Sequence, residues 1–429
     1  MPHPVALVCE SCGTRHRASG ALTECPCGGL LEAVHDLRGV DGRAWRRAFE
    51  RRLSGGDAKV GGSGVWRYRE LLLPGRGAVV AHPEGNTRLY SRDALSRFAR
   101  LDGVRFKHEG ENPTGSFKDR GMTVAISQAA RSGASAVACA STGNTSASMA
   151  AYAAQAGLPS LVFVPRGKVA AGKLAQALAY GARTLVVRGD FDACLKLARE
   201  ASRELGVALL NSVNPWRLEG QKTIVLEMLQ QLGWEAPDWI LVPAGNLGNT
   251  SAFGKALREA RALGLIARLP RIASIQAAGA SPFYKSFRSG FRRRYRVRAE
   301  TVATAIRIGN PASHERARRA ILETRGVVAS VSDREILEAK AAIDRAGLGC
   351  EPASAATLAG LRKLRAAGVV RPGQSAVAIL TGHLLKDPQT VIDWHMAAGR
   401  AGRGRNRPVE IEARVSAVER VLAADRRQR

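Results

Sequence analysis

The sequence predicts an α/β fold with mostly parallel sheets, opened by a small N-terminal cysteine ribbon. From about Ala136 onward, short β-branched runs alternate with Ala- and Leu-rich stretches of helical period. The runs are apolar at nearly every position, the pattern of strands whose two faces are both covered by crossover helices. Four of the seven cysteines, Cys9, Cys12, Cys25 and Cys27, crowd the start of the chain and so point to one shared task. A length of 429 residues is enough for two or three units.

Taken in order, residues 1–36 form the ribbon. A reducing cytosol disfavours disulfides, so two thiolate pairs point to tetrahedral zinc. Cys9-Glu10-Ser11-Cys12 has the usual two-residue gap; Cys25-Pro26-Cys27 has one, which makes it harder for backbone N–H groups to support both sulfurs, and His16 offers a substitute ligand. A ribbon that keeps its fold without metal is the other reading. Residues 37–65 read as a connector, flexible over 51–64 where Gly55, Gly56, Gly61, Gly62 and Gly64 gather. Strands are expected at Ala136–Ser141, Ser160–Pro165, Thr184–Arg188, Trp239–Val242, Ile272–Gln276, Val327–Val331 and Ala376–Leu380. Helices are expected over Asn144–Ala156, Lys168–Tyr180, Asp190–Leu205, Gly220–Leu232, Asn249–Leu263 and Asp333–Ala346. A basic tail, 397–429, closes the chain, with 399–407 read as disordered and Val409–Leu422 as a short amphipathic helix.

A composition of 45% hydrophobic and 24% charged residues is that of a globular protein and excludes a disordered or fibrous chain. No apolar run reaches the roughly eighteen residues of a membrane-spanning helix. The start, Met1-Pro2-His3-Pro4-Val5, lacks the basic region and apolar core of a secretory signal, so a cytoplasmic location is expected. The net charge of +28 asks for an anionic partner: nucleic acid, a membrane surface or a phosphorylated small molecule. Only 5% of residues are aromatic, which argues against a stacking surface for single-stranded nucleic acid. An arginine-rich solvated surface is the plainer account.

Three loops carry chemistry. In Glu111–Gly121, a turn rich in Pro, Gly and hydroxyl residues delivers Lys118 to the start of a helix, where burial or nearby positive charge makes an amine nucleophilic. The bland reading is a surface lysine paired with Asp119. Ser141-Thr142-Gly143-Asn144-Thr145-Ser146 follows a strand and opens a helix, so its N–H groups and hydroxyls suit a carboxylate or a phosphate. The same residue types also serve as ordinary helix caps. Gly245-Asn246-Leu247-Gly248-Asn249-Thr250 leaves the strand ending in Val242-Pro243; its glycines permit close approach and its successive N–H groups can cradle a phosphate. In parallel sheets the ligand sits at these carboxyl ends of the strands.

Together with Asn211–Thr223, Thr304–Pro311, Glu351-Pro352-Ala353-Ser354 and Leu380-Thr381-Gly382-His383, these loops resemble the fold-type II pyridoxal 5'-phosphate (PLP) enzymes, and within them the threonine synthase family. The resemblance covers most of the chain, and the ribbon is similar to the one that opens many of those synthases. It implies two domains, a large one from 66–119 with 212–396 and a smaller mobile one from 120–211, with PLP between them. It implies Lys118 as the Schiff-base lysine and proton shuttle, Asn144 at the cofactor's phenolic oxygen, Thr381 at its pyridine nitrogen, and Gly245, Asn246, Leu247, Gly248 and Asn249 around its phosphate. Ser141, Thr142 and Thr145 would hold the substrate α-carboxylate, and Ser116, Asn211, Ser212, Arg217 and Lys222 the substrate phosphate. Glu351 would lie beside the ring or cap its helix. The implied reaction turns O-phospho-L-homoserine and water into L-threonine and phosphate, in a homodimer that needs no membrane. The sequence departs from the family pattern at Glu111, Cys350 and Leu384.

Two other readings compete. A cysteate-synthase-like or threonine-dehydratase-like activity would share Lys118 and the phosphate loop, but Arg217 and Lys222 favour a phosphorylated substrate. A nucleic-acid-binding protein would use the tail and the cluster Lys285, Arg288, Arg292, Arg293, Arg294, Arg296 and Arg298, and would leave the cofactor motifs unexplained.

Overall fold

The computed structural model describes residues 4–18, 22–55, 62–73, 75, 77–167, 171–397 and 405–428. Strands β1 (Val5–Cys9), β2 (Arg15–Arg17) and β3 (Leu31–His35) form an antiparallel ribbon in the order β2-β1-β3. Along β3 the burial alternates, so Leu31, Ala33 and His35 all face the body of the protein. Helix α1 (Gly42–Gly55) then occupies ground expected to be a connector. Phe49 is fully buried on α1, against Tyr68 and Trp234. This corrects the flexible reading of 51–64 at its start; residues 56–61 lie outside the described residues.

An edge strand β4 (Leu89–Ser91), helix α2 (Asp93–Ala99) and strand β5 (Arg105–His108) lead into α3 (Lys118–Arg131). A four-stranded sheet follows, built from β6 (Ala136–Ala140), α4 (Asn144–Gln155), β7 (Ser160–Pro165), α5 (Ala171–Ala179), β8 (Arg183–Val187), α6 (Phe191–Glu204) and β9 (Val207–Leu209). Its order is β8-β7-β6-β9 and every pairing is parallel. The chain continues through α7 (Pro215–Gln231), β10 (Trp239–Pro243), α8 (Gly248–Ala262), β11 (Arg271–Ala277), α9 (Pro282–Arg288), α10 (His314–Glu323) and β12 (Val327–Val331). It ends with α11 (Asp333–Arg345), α12 (Pro352–Ala366), β13 (Ala376–Leu380), α13 (Pro388–Met396) and α14 (Val415–Gln428). These complete a six-stranded sheet, β12-β11-β10-β13-β5-β4, parallel except at β4.

Two boundaries differ from expectation. Helix α7 starts five residues before Gly220, because Pro215 sits in its first turn and Asn214 caps it through the Trp216 N–H. The tail helix starts at Val415 rather than Val409; residues 399–404 of the expected disordered stretch are outside the described residues. Among the described residues no helix is long and apolar enough to cross a membrane.

One contact sets the geometry of everything below. Helices α3 and α7 cross at Gly121 and Gly220, where a Cβ on Gly220 would lie 1.7 Å from the Arg120 carbonyl oxygen and one on Gly121 2.9 Å from that of Arg217. Only glycine lets the two backbones approach this closely.

Candidate active site

The turn before α3 is stitched to the end of β13 like a short extra strand. Phe117 donates its N–H to the Thr381 carbonyl at 2.9 Å, His383 donates to Gly115 at 2.9 Å, and Ser116 pairs with Gly382. Asp119 holds the turn shut, accepting from the Thr114 N–H at 2.7 Å, the Thr114 hydroxyl at 2.6 Å and the Ser148 hydroxyl of α4 at 2.6 Å. Asp119 is therefore engaged away from Lys118, and the surface pairing of the two does not occur. Burial and the Arg217 guanidinium lower the Lys118 ammonium to about 7, with Glu351 acting in the opposite sense. A lysine so depressed is about half free amine near neutral pH.

Across from it, Glu351 joins the two sheets' contributions. Asn144, at the first turn of α4, donates to its carboxylate at 2.9 Å, and the Thr381 hydroxyl donates to the other oxygen at 3.0 Å. Ser354 in turn accepts from the Thr381 N–H at 2.8 Å. Burial raises the Glu351 carboxyl, against the hydrogen bonds from Asn144 and Thr381. Glu351, expected beside the ring or as a helix cap, makes no side-chain cap bond to α12; its only sequence signal was its place just before Pro352. Lys386, also missed, spans the mouth: it donates to the Thr114 carbonyl at 3.0 Å and contacts Gln176 of α5. Ser141, Thr142 and Thr145 stand half-buried around the N-terminus of α4, which has no side-chain cap.

The loop after β10 leads into a second helix N-terminus without a side-chain cap. Leu247 adopts a left-handed conformation (φ 66°) just ahead of α8, and no side chain caps that helix. The N–H groups of its first turn thus remain for a ligand. A Cβ on Gly245 would approach Ile306 Cα to 2.9 Å, so that glycine is dictated by packing. Asn246 fixes the loop by accepting from the Ala312 N–H at 2.6 Å and donating to the Ser212 hydroxyl. The Asn249 Oδ1 and Ser313 Oγ atoms are buried with no hydrogen-bond partner among the described residues.

Arg217 is the most telling side chain. It is fully buried, donates one bond to the Leu210 carbonyl at 3.0 Å, and leaves Nε and Nη2 without a hydrogen-bond partner among the described residues. Burial lowers it to about 10. A buried guanidinium with two idle donors calls for an anion. Two expected phosphate ligands are otherwise engaged. Lys222 bonds Glu219 at 2.7 Å and Glu259 at 2.7 Å, which corrects its placement at the substrate phosphate. It lies five residues past Arg217, about 140° around the helix, and so faces away. The Asn211 amide exchanges 3.0 Å bonds with both backbone groups of Ala140 and anchors its loop to β6.

At the ribbon all four thiols converge despite the one-residue gap. Sγ separations are 3.4 Å for Cys9–Cys27, 3.4 Å for Cys12–Cys27 and 3.7 Å for Cys12–Cys25, and none of these cysteines is in a disulfide. His16 Nε2 lies 3.3 Å from the Cys25 sulfur, beside the four thiols.

The departures from the family pattern have structural counterparts. Glu111 accepts from the Arg88 N–H at 2.7 Å and from the Tyr90 hydroxyl, bracing the edge strand β4. Leu384 fills the space beside Gly349, where a Cβ would come within 2.4 Å of it.

The residues present suit PLP: an uncapped helix N-terminus for its phosphate, a depressed lysine, and hydrogen-bonding groups on both sides of the cleft. The sequence pattern of the pyridoxal-phosphate dependent enzyme family matches residues 80–382. A threonine synthase of Methanosarcina acetivorans is 46% identical over 390 residues, covering 90% of this chain and 93% of that protein. One of Methanocaldococcus jannaschii is 42% identical over 417 residues, covering 96% and 98%. The solved threonine synthase of Escherichia coli superposes with a TM-score of 0.69 at 19% identity, over 98% of this chain and 100% of that one, a likeness of fold. With a matching pattern over most of its length and such relatives end to end, the chain belongs to the pyridoxal-phosphate dependent enzyme family, in its threonine synthase branch.

Proposed function

We propose that the protein is a threonine synthase that converts O-phospho-L-homoserine and water into L-threonine and phosphate. The observation that carries this is the idle guanidinium of Arg217, buried beside the helix that begins with Lys118. A leaving phosphate is a dianion, and a fork of N–H donors meets it in two places at once. Ser116 and Ser212 add hydroxyls, while Asn211 holds the loop. Ser141, Thr142 and Thr145 bind the α-carboxylate at the N-terminus of α4.

PLP, held by Lys118 and by the Gly245–Asn249 loop, would supply the electron sink for carbanions at the substrate. Lys118, freed by substrate, takes the proton from Cα and then moves protons at Cβ and Cγ, a task its depressed pKa suits. Arg217 holds the phosphate as the Cγ–O bond breaks. Water then adds at Cβ. Asn144 and Thr381 would hold the cofactor ring, and a neutral hydroxyl at its nitrogen would keep the electron sink moderate.

Residues 120–211 act as the smaller mobile domain, closing on 66–119 and 212–396 to exclude water until the hydration step. Asn144–Glu351 and Gln176–Lys386 are among the contacts that cross this line, together with Ser148–Asp119 and the buried Arg120–Glu227 pair at its hinge end. We further propose a structural zinc on Cys9, Cys12, Cys25 and Cys27, since tetrahedral thiolates at about 2.3 Å from zinc stand about 3.8 Å apart. The enzyme works as a cytoplasmic homodimer.

The test is direct. Purified protein should bind PLP with a visible absorbance that Lys118→Ala abolishes, and should release phosphate and threonine together from O-phosphohomoserine. Phosphate without threonine, or neither, would sink the proposal.

A further inference from the structure

Behind the phosphate-binding face lies a buried ionic cluster that the reaction itself does not use. His35, the last residue of β3 in the ribbon, meets Glu219 of α7 at 2.6 Å. Glu219 also bonds Lys222 at 2.7 Å and contacts Lys255 of α8, which donates in turn to the Ala33 carbonyl of β3. Lys222 reaches Glu259 of α8 at 2.7 Å. The side chains of His35, Glu219 and Lys222 are at most 1% exposed, and those of Lys255 and Glu259 less than a tenth. A third helix joins at the rim, where Arg316 of α10 donates to the Leu31 carbonyl at 2.7 Å and pairs with Glu10 at 2.7 Å.

The three helices gripped in this way share one property. Each begins at a polar group or turn left without a partner among the described residues: α7 at Arg217, α8 at the uncapped Gly248 turn, and α10 just after the Ser313 hydroxyl. Arg217 and Glu219 are two residues apart, hence about 200° around the helix, so one faces the cleft and the other faces the ribbon. Helix α7 is thereby held between two fixed surfaces, the glycine crossing with α3 in front and the ribbon behind.

We propose that Glu219 is a positioning residue for phosphate recognition and that the ribbon acts through it, as a clamp that keeps Arg217 and the α8 turn in register. Removing the clamp lets α7 rotate or slide on α3, and the guanidinium loses its aim while the lysine on α3 keeps its own. The inference rests on the phosphate reading of Arg217 given above.

The experiment uses the full-length holoenzyme and inorganic phosphate as the probe, with binding measured by calorimetry. In Glu219→Gln, phosphate affinity and the KM for O-phosphohomoserine should worsen together by about tenfold, the loss typical of removing a partner behind a ligand. The kcat should change far less, and the absorbance of the Lys118-bound cofactor should stay in place. Glu219→Gln leaves two buried ammonium groups short of a carboxylate. His35→Ala therefore serves as a second variant, cutting the ribbon's side chain away while Glu219 stays between its lysines, and should weaken phosphate binding in the same direction. Wild-type phosphate affinity in a folded variant of either kind would overturn the clamp. If the unmodified holoenzyme neither binds phosphate nor turns over O-phosphohomoserine, the functional reading fails instead.

Discussion

Two side chains face each other's charge at the heart of the cleft, and each is costly to the empty protein. Lys118 has a folded pKa of about 7 against an ordinary 10.5, so within that window the unfolded chain binds the extra proton. Stability of the ligand-free protein should therefore rise as pH climbs from about 7 to 10.5, and the full cost is present below that range. Relative to Lys118→Met, thermal unfolding should show this rise, on the order of 2 kcal/mol after allowing for the lysine's partial exposure. Arg217→Met should raise the melting temperature of the ligand-free protein, by about 1–3 kcal/mol in stability, because it removes an unpaired buried cation. The same change should cut kcat/KM at least about a hundredfold, the worth of a lost charge-assisted contact near 3 kcal/mol. At this scale the sequence singled out Lys118 and the Gly245–Asn249 loop by residue type at a helix start, and Thr381 only through the family resemblance. Lys222 was misplaced because a linear motif carries no helical phase. The Glu351 bridge was out of reach, since its partners are 207 and 30 residues away.

Elements were legible where their apolar run was long enough to read. Strands β6, β10 and β13 are buried at every position, and each announced itself as a short apolar run. Strands β4, β5 and β9 have only three or four residues and no period to detect. Helix α1 was hidden by Arg43, Arg46, Arg47, Arg51 and Arg52 around its buried Phe49. The α3–α7 crossing is the element-level feature most open to test. Gly220→Ala would drive a Cβ to 1.7 Å from the Arg120 carbonyl, and neither backbone can yield without tilting a helix. The expected loss is about 3 kcal/mol, read by urea denaturation, with phosphate binding weakened in whatever protein folds. Gly264→Ala, with no atom within 4 Å but a φ of +66°, should cost only about 1 kcal/mol and leave binding unchanged.

For the whole molecule, the charge of +28 finds a modest use. Arg294 of the basic cluster donates to the Asn310 carboxamide at 3.1 Å and to the Pro311 carbonyl at 3.0 Å, beside the loop that meets Asn246, so part of the cluster braces the Gly245–Asn249 loop. The remainder makes a positive field. For a dianionic substrate, kcat/KM should fall steadily as salt rises through the range where the Debye length shrinks from about 30 to 10 Å. An uncharged O-acyl analogue should show a flat profile; equal slopes for both would remove steering from the account.

The ribbon's attachment also dictates an order of events during synthesis. Its three strands leave the ribosome well before the helices they grip, since Glu219 follows His35 by 184 residues and the Arg316 donor follows Leu31 by 285. At ordinary elongation rates of about 5–20 residues per second, the opening segment waits on the order of tens of seconds for the surfaces it must grip. Through that interval its buried face has no cover, and Leu31, Ala33 and His35 are open to other nascent chains. A metal-bound thiolate cluster that folds without help from the rest of the chain would let those residues wait as a finished module rather than as loose apolar strand.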